Sequence, residues 1–177
     1  MTDEYTEMAA GPDCAAAPDN SKQTIGWREW VSLPGLGIEQ LKAKVDTGAR
    51  TSALHAFSVK EFVNADGETC VRFGVHPDQR TLEREIFCEA PVLDKRVVRD
   101  SGGHAQERFV IGIQMHIGPH IIPIELTLTD RDDMLFRMLI GRTAMAGNFT
   151  VDPSRSYLIG KKRRKKIKKK LSKSNRA

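Results

Sequence analysis

Asp46-Thr47-Gly48 is the tripeptide in this sequence best equipped to do chemistry. A carboxylate at a strand end can hold a water molecule and act on it as a general base. Gly48 lets the backbone turn tightly and pass close to the acid, so that its amide can donate to the carboxylate. The Thr47 hydroxyl can brace the loop by bonding neighbouring backbone. Such a set suits amide hydrolysis by an activated water. The same three residues build an Asx-turn or a helix cap equally well. Taken alone, the tripeptide leaves both open.

The elements that would position Asp46 are legible as strands. Ile38 to Val45 alternates, with Leu41, Ala43 and Val45 on one face and Lys42 and Lys44 on the other. Trp27, Trp30, Val31 and Leu33 precede the turn signal Pro34-Gly35-Leu36-Gly37, so the two stretches read as a hairpin whose second strand delivers Asp46. Further strands are expected at Ala53–Val63, Thr69–Val75, Glu83–Ala90, Lys95–Arg99, Arg108–Ile117, Ile121–Leu128 and Met138–Ile140. Asp66-Gly67, His76-Pro77-Asp78, Ser101-Gly102-Gly103 and Gly118-Pro119 separate them as turns. One short helix is expected, Arg142 to Ala146. Many strands, frequent turns and a single small helix describe an all-β fold closed into a barrel.

A second element bears on the tripeptide. Met138-Leu139-Ile140-Gly141-Arg142 is an apolar strand that ends in Gly and runs at once into the helix. Asp46-Thr47-Gly48-Ala49 together with Leu139-Ile140-Gly141-Arg142 resembles the paired signature of retroviral-type aspartic peptidases. The resemblance implies that the apolar-Gly strand packs beside the catalytic loop and that Arg142 anchors fold and dimer. Val97 to Asp100, Ser101-Gly102-Gly103 and Glu107 to Ile113 then read as a hairpin whose tip serves as a flap over the cleft. A closer likeness covers most of residues 24 to 160. Lys44 to Ala56, Val97 to Gly103 and Asp130 to Met134 are similar to a bacterial family of retropepsin-like endopeptidases, also labelled ATP-dependent zinc protease and associated with RimK/LysX. The expected fold is thus a retropepsin-like closed β-barrel with a flap hairpin and one short C-terminal helix.

The residues weigh against part of that label. His-Glu-x-x-His is absent, and His116 and His120 are separated by Gly118-Pro119, so they cannot share a helix face. A phosphate-cradling Gly-x-x-x-x-Gly-Lys-Ser/Thr loop is absent too. Neither a metal nor another cofactor is expected, and ATP would belong to a partner, for which the resemblance implies a RimK-type ATP-grasp ligase. Aspartic peptidases need two carboxylates sharing one proton. This chain has one Asp-Thr-Gly, and Asp100-Ser101-Gly102 reads as a turn. The second acid must then come from a second copy, in a C2 homodimer where Thr47 locks the two loops, Gly48 permits close approach and Ala49 packs on the mate. Ile140, Gly141 and Arg142 support the site. Arg50, Arg108 and Arg131 are candidates for holding an acidic protein or peptide substrate, against ordinary surface pairing as the plainer reading. Glu125 and Asp152 also resemble family positions, with no role legible from spacing.

Charge divides the chain into three. Residues 1 to 22 read as a flexible acidic leader, and 23 to 160 as the domain. Residues 161 to 177 hold eleven Lys or Arg and no acid, leaving 17 basic against 23 acidic residues before them, a net of −6. That basic tail is expected to be disordered, with weak, salt-sensitive contact to RNA or ribosomes at most. No apolar run is long enough to span a bilayer and no signal pattern opens the chain, so a cytoplasmic location and no membrane partner are expected. Cys14, Cys70 and Cys88 form no Cys-x-x-Cys spacing, and burial as small apolar groups is expected for the latter two. Two other readings stay open: a non-catalytic barrel module tied to a RimK-type ligase or the ribosome, and a metal-dependent hydrolase using His55, His104 or His116.

Overall fold

Strict alternation in Ile38–Val45 buries Leu41, Ala43 and Val45, and that strand is the spine of the fold in the computed structural model. The structure describes residues 22–79, 81–99, 103–130 and 135–160. Among them lie eleven strands: β1 (Gln23–Gly26), β2 (Arg28–Leu33), β3 (Ile38–Val45), β4 (Ser52–His55), β5 (Phe57–Val63), β6 (Thr69–Val75), β7 (Ile86–Arg99), β8 (Ala105–Ile117), β9 (His120–Thr129), β10 (Met138–Ile140) and β11 (Phe149–Asp152). One short helix, α1 (Arg142–Met145), follows β10. The fold is all-β, as the turn-rich sequence requires.

Nine strands form one sheet in the order β2-β3-β10-β4-β9-β8-β7-β6-β5. β2 also pairs with β8 through Val31–Ile117 and Ser32–His116, so the ladder from β2 to β8 returns on itself as a ring of six strands. Its inner face carries Leu41, Ala43, Leu54, Ile111, Met115, Leu126, Met138 and Ile140, all essentially inaccessible to water. Beyond the ring, β7, β6 and β5 continue the sheet as an antiparallel extension. Cys70 and Cys88 are buried there, and Cys88 donates to the Leu36 carbonyl. Burial pushes the Cys88 thiol up to about 11, so at neutral pH it stays protonated and is no nucleophile.

Several elements depart from the sequence reading in ways that have causes. Ala53–Val63 is two strands, because the chain changes partners at Ala56, whose amide donates to Thr129 O. The expected strands Glu83–Ala90 and Lys95–Arg99 are one strand, β7, which begins only at Ile86 and has a register shift between Val92 and Asp94 that breaks its alternation. β1 and β11 had no local signal; each has four residues, and they pair only with each other, Gln23 opposite Phe149.

A second tie holds residues 158–160. Glu29 is fully buried on β2, and its carboxylate accepts from the amides of Gly26 (2.8 Å), Leu158 (2.8 Å) and Gly160 (2.9 Å). Three charge-assisted bonds satisfy the acid and pin residues 158–160 against β2. A Cβ at Gly160 would meet Trp30 O at 2.2 Å, so the approach needs glycine. Glu29→Ala should therefore cost about 3 kcal/mol by leaving amides buried and unpaired, measured as the shift in urea midpoint. A chain ending at Gly160 should keep the parent midpoint, whereas one ending at Ser156 should lose about as much as Glu29→Ala.

Candidate active site

Asp46 follows directly on β3, and its position is fixed before its side chain is considered. β3 runs parallel to β10 with Met138 opposite Ala43, Leu139 opposite Lys44 and Ile140 opposite Val45. The Asp46 amide extends this ladder by donating to Ile140 O at 2.9 Å. Asp46 Oδ1 accepts from the amides of Gly48 (2.9 Å) and Ala49 (3.1 Å). The turn anticipated from the tripeptide is therefore present, and the carboxylate is its hub. Oδ1 is committed to the turn, while the residue stays half-exposed with Thr47 and Gly48 exposed beside it.

Residues 141–143 hold the rest of the loop. Arg142 Nη1 donates to both Thr47 O and Gly48 O at 2.8 Å. The amides of Arg142 and Thr143 donate to Ala49 O (2.9 Å) and Arg50 O (3.0 Å), and Thr143 Oγ1 adds a bond to Arg50 O at 3.1 Å. Four successive carbonyls of the loop, 47 to 50, thus find donors in two residues of the helix start. Gly141 is the point of closest approach: a Cβ there would lie 2.5 Å from Thr51 C and 2.6 Å from Thr51 O. Its amide donates to the buried Ser52 hydroxyl at 3.1 Å. Ser52 was not singled out from the sequence, and a small polar residue just after the loop was the available signal. Thr47 makes no side-chain hydrogen bond among the described residues.

The remaining candidates scatter. β7 and β8 pair from Val92 to Arg99, forming the expected hairpin. Gly103 lies at its end with φ near 83°, a conformation that favours glycine, while Ser101 and Gly102 fall outside the described residues. Arg50 is exposed next to the loop. Arg108 is buried on β8 with Nε on Gln106 at 3.1 Å, and Arg131 lies outside the described residues. Glu125 bonds Arg96, which together with the nearby Arg50 charge holds its carboxyl below the usual range. Asp94 is lowered by the same Arg96. Both acids gain from ionisation above the ordinary carboxylate range and lose that gain on acidification; being exposed, they are screened by salt. Asp152 is held low by Ser154, whose hydroxyl and amide bond its Oδ1 at 2.6 and 2.9 Å. His116 and His120 stand on opposite arms of the β8–β9 hairpin, and no three His, Cys, Asp or Glu side chains converge among the described residues.

An apolar parallel strand, a following glycine and an arginine clamped round Asp-Thr-Gly, set in an all-β ring, define a retropepsin-like fold. The chain belongs to the RimB-like family, whose model, described as retropepsin-like aspartic endopeptidase RimB, matches residues 24–162. It is 43% identical over 141 residues to a probable alpha-L-glutamate ligase of Shewanella halifaxensis, covering 80% of this chain and 31% of that protein. A protein of the same name from Parasynechococcus marenigrum is 48% identical over 139 residues, covering 78% of this chain and 30% of its own length. The chain therefore spans under a third of these curated relatives. The crystal structure of Lpg0085, a Legionella pneumophila protein of unknown function, matches with a TM-score of 0.66 and 27% identity, covering 78% of this chain and 99% of that one.

Gly141→Ala should destabilise the fold by about 3 kcal/mol, since the methyl meets backbone that cannot move aside. Arg142→Ala, which removes two exposed bonds, should cost only about 1 kcal/mol. Denaturant titration of both variants checks the order, and a Gly141→Ala protein as stable as the parent would contradict the packing described.

Proposed function

We propose that this chain is an aspartic endopeptidase that acts as a homodimer, with Asp46 of each copy forming one catalytic pair. The observation that carries the reading is the half-exposed Asp46 carboxylate held at Oδ1 by two loop amides, on a loop whose Thr47 and Gly48 are exposed. One carboxylate cannot serve as both base and acid in a single step. Two placed about 3 Å apart share a proton, because both cannot ionise cheaply. The ionised member takes a proton from water as it attacks the scissile carbonyl, and the protonated member polarises that carbonyl. Thr47 and Gly48 would meet their counterparts at the two-fold axis, and Ala49 would pack there. The β7–β8 hairpin would cover the peptide, and the exposed Arg50 would contact it.

The relatives' name supports a setting for this activity. Proteins named probable alpha-L-glutamate ligase carry a region like this chain within their own length. A glutamate ligase of RimK type is therefore the proposed partner, and the protein it modifies the proposed source of substrate. The same observation favours a second reading, in which the domain only accompanies the ligase and performs no hydrolysis.

Asp46→Asn separates the two. Its amide oxygen can still accept from Gly48 and Ala49, so stability should change little. Hydrolysis should fall by at least about 1000-fold, and the dimer should persist in gel filtration. Cleavage retained by purified Asp46→Asn protein would exclude the mechanism, and a wild-type chain that never cleaves peptide would favour the accompanying module.

A further inference from the structure

Arg137 precedes β10, between the buried Phe136 and Met138, and is itself only 7% exposed. Its Nε and Nη1 have no hydrogen-bond partner among the described residues. A guanidinium cannot shed its proton in a protein, so burial leaves a full charge in need of compensation. Two further groups nearby are in the same condition. Among the described residues, Thr129 is 2% exposed with Oγ1 unpartnered, and His76 is 8% exposed with Nδ1 unpartnered.

The three converge on one residue. The His55 amide donates to Arg137 O at 2.8 Å, and His55 stands opposite Thr129 in the β4–β9 ladder. Residues opposite one another on adjacent strands project to the same face. Arg137, His55 and Thr129 therefore form a row across β10, β4 and β9. The His76 ring lies over this row, 6.3 Å from the His55 ring, with Phe57 stacked 4.3 Å from it. His76 Nε2 faces Glu85 at 3.5 Å, so Nδ1 is the nitrogen left to serve the row. Along β10 the row is four residues from Gly141, about 13 Å at strand rise, which separates it from the Asp46 loop.

A fork of guanidinium N–H groups beside a hydroxyl and an imidazole N–H is donor chemistry matched to an oxyanion. We infer that Arg137, with Thr129 and His76, forms a binding site for an oxyanion of the carboxylate or phosphate type. The anion supplies the counter-charge that no described residue provides, and Thr129 sets its orientation. The site is independent of hydrolysis at Asp46, and so is its test.

The full chain is titrated calorimetrically with sodium phosphate and, separately, sodium acetate, with sodium chloride at matched ionic strength as reference. Thermal unfolding is followed alongside, since a ligand bound to the folded state raises the midpoint. One saturable site is expected for at least one oxyanion and none for chloride; tighter phosphate than acetate identifies a phosphate site, the reverse a carboxylate site. Arg137→Gln should weaken binding at least tenfold. Thr129→Val, which leaves the charge in place and decides the matter if Arg137→Gln fails to fold, should weaken it severalfold. Absence of saturable binding, or equal binding by wild type and both variants, overturns the site. So does binding that emerges only in Asp132→Asn/Asp133→Asn protein, because the chain's own acids would then occupy Arg137.

Discussion

The loop that carries Asp46 has almost no structure of its own to rely on, and the start of α1 supplies what it lacks. Each carbonyl from Thr47 to Arg50 accepts a bond from Arg142 or Thr143. A loop of this kind would otherwise hold its carbonyls only through water, and would wander by more than catalysis tolerates. The parallel pairing of β3 with β10 places loop and helix side by side, so the geometry of the acid is inherited from a strand contact between residues nearly a hundred positions apart in sequence.

Much else in the fold serves that contact. β10 has three residues, too few to be stable alone, and it is held because β3 and β4 flank it on both edges. Its Met138 and Ile140 lie within the ring's apolar interior, which fixes its register. Gly141 then permits an approach that any side chain would forbid. Glu29 plays the matching part elsewhere in the fold, where one buried carboxylate gathers three amides and ties residues 158–160 to β2. In both places a few groups brought from far along the chain satisfy backbone that secondary structure leaves unserved.

The legible parts of this architecture were those with local signals. β3, β6 and β10 begin and end where alternation or an apolar run bounded by turns said they would. Asp46-Thr47-Gly48 and Ile140-Gly141-Arg142 announced themselves by type, and the structure brings them together. What could not be read depends on partners distant in sequence. β1 and β11 are visible only as each other's neighbours. Glu29 looks like any acid on an amphipathic strand until Leu158 and Gly160 arrive. Ser52 gains its role from Gly141, 89 residues away. Arg137 was a missed residue with a stronger clue, a cation set between Phe136 and Met138 where an apolar strand was beginning.

The proposed hydrolysis needs two copies to bring their acids together, since each chain contributes one Asp-Thr-Gly. The direct measurement is the separation of the Asp46 carboxylates in a crystal structure of the chain in its solution assembly. A separation of about 3 Å across a two-fold axis is expected, the spacing at which one proton is shared. Carboxylates far apart in every oligomer the protein forms would contradict it.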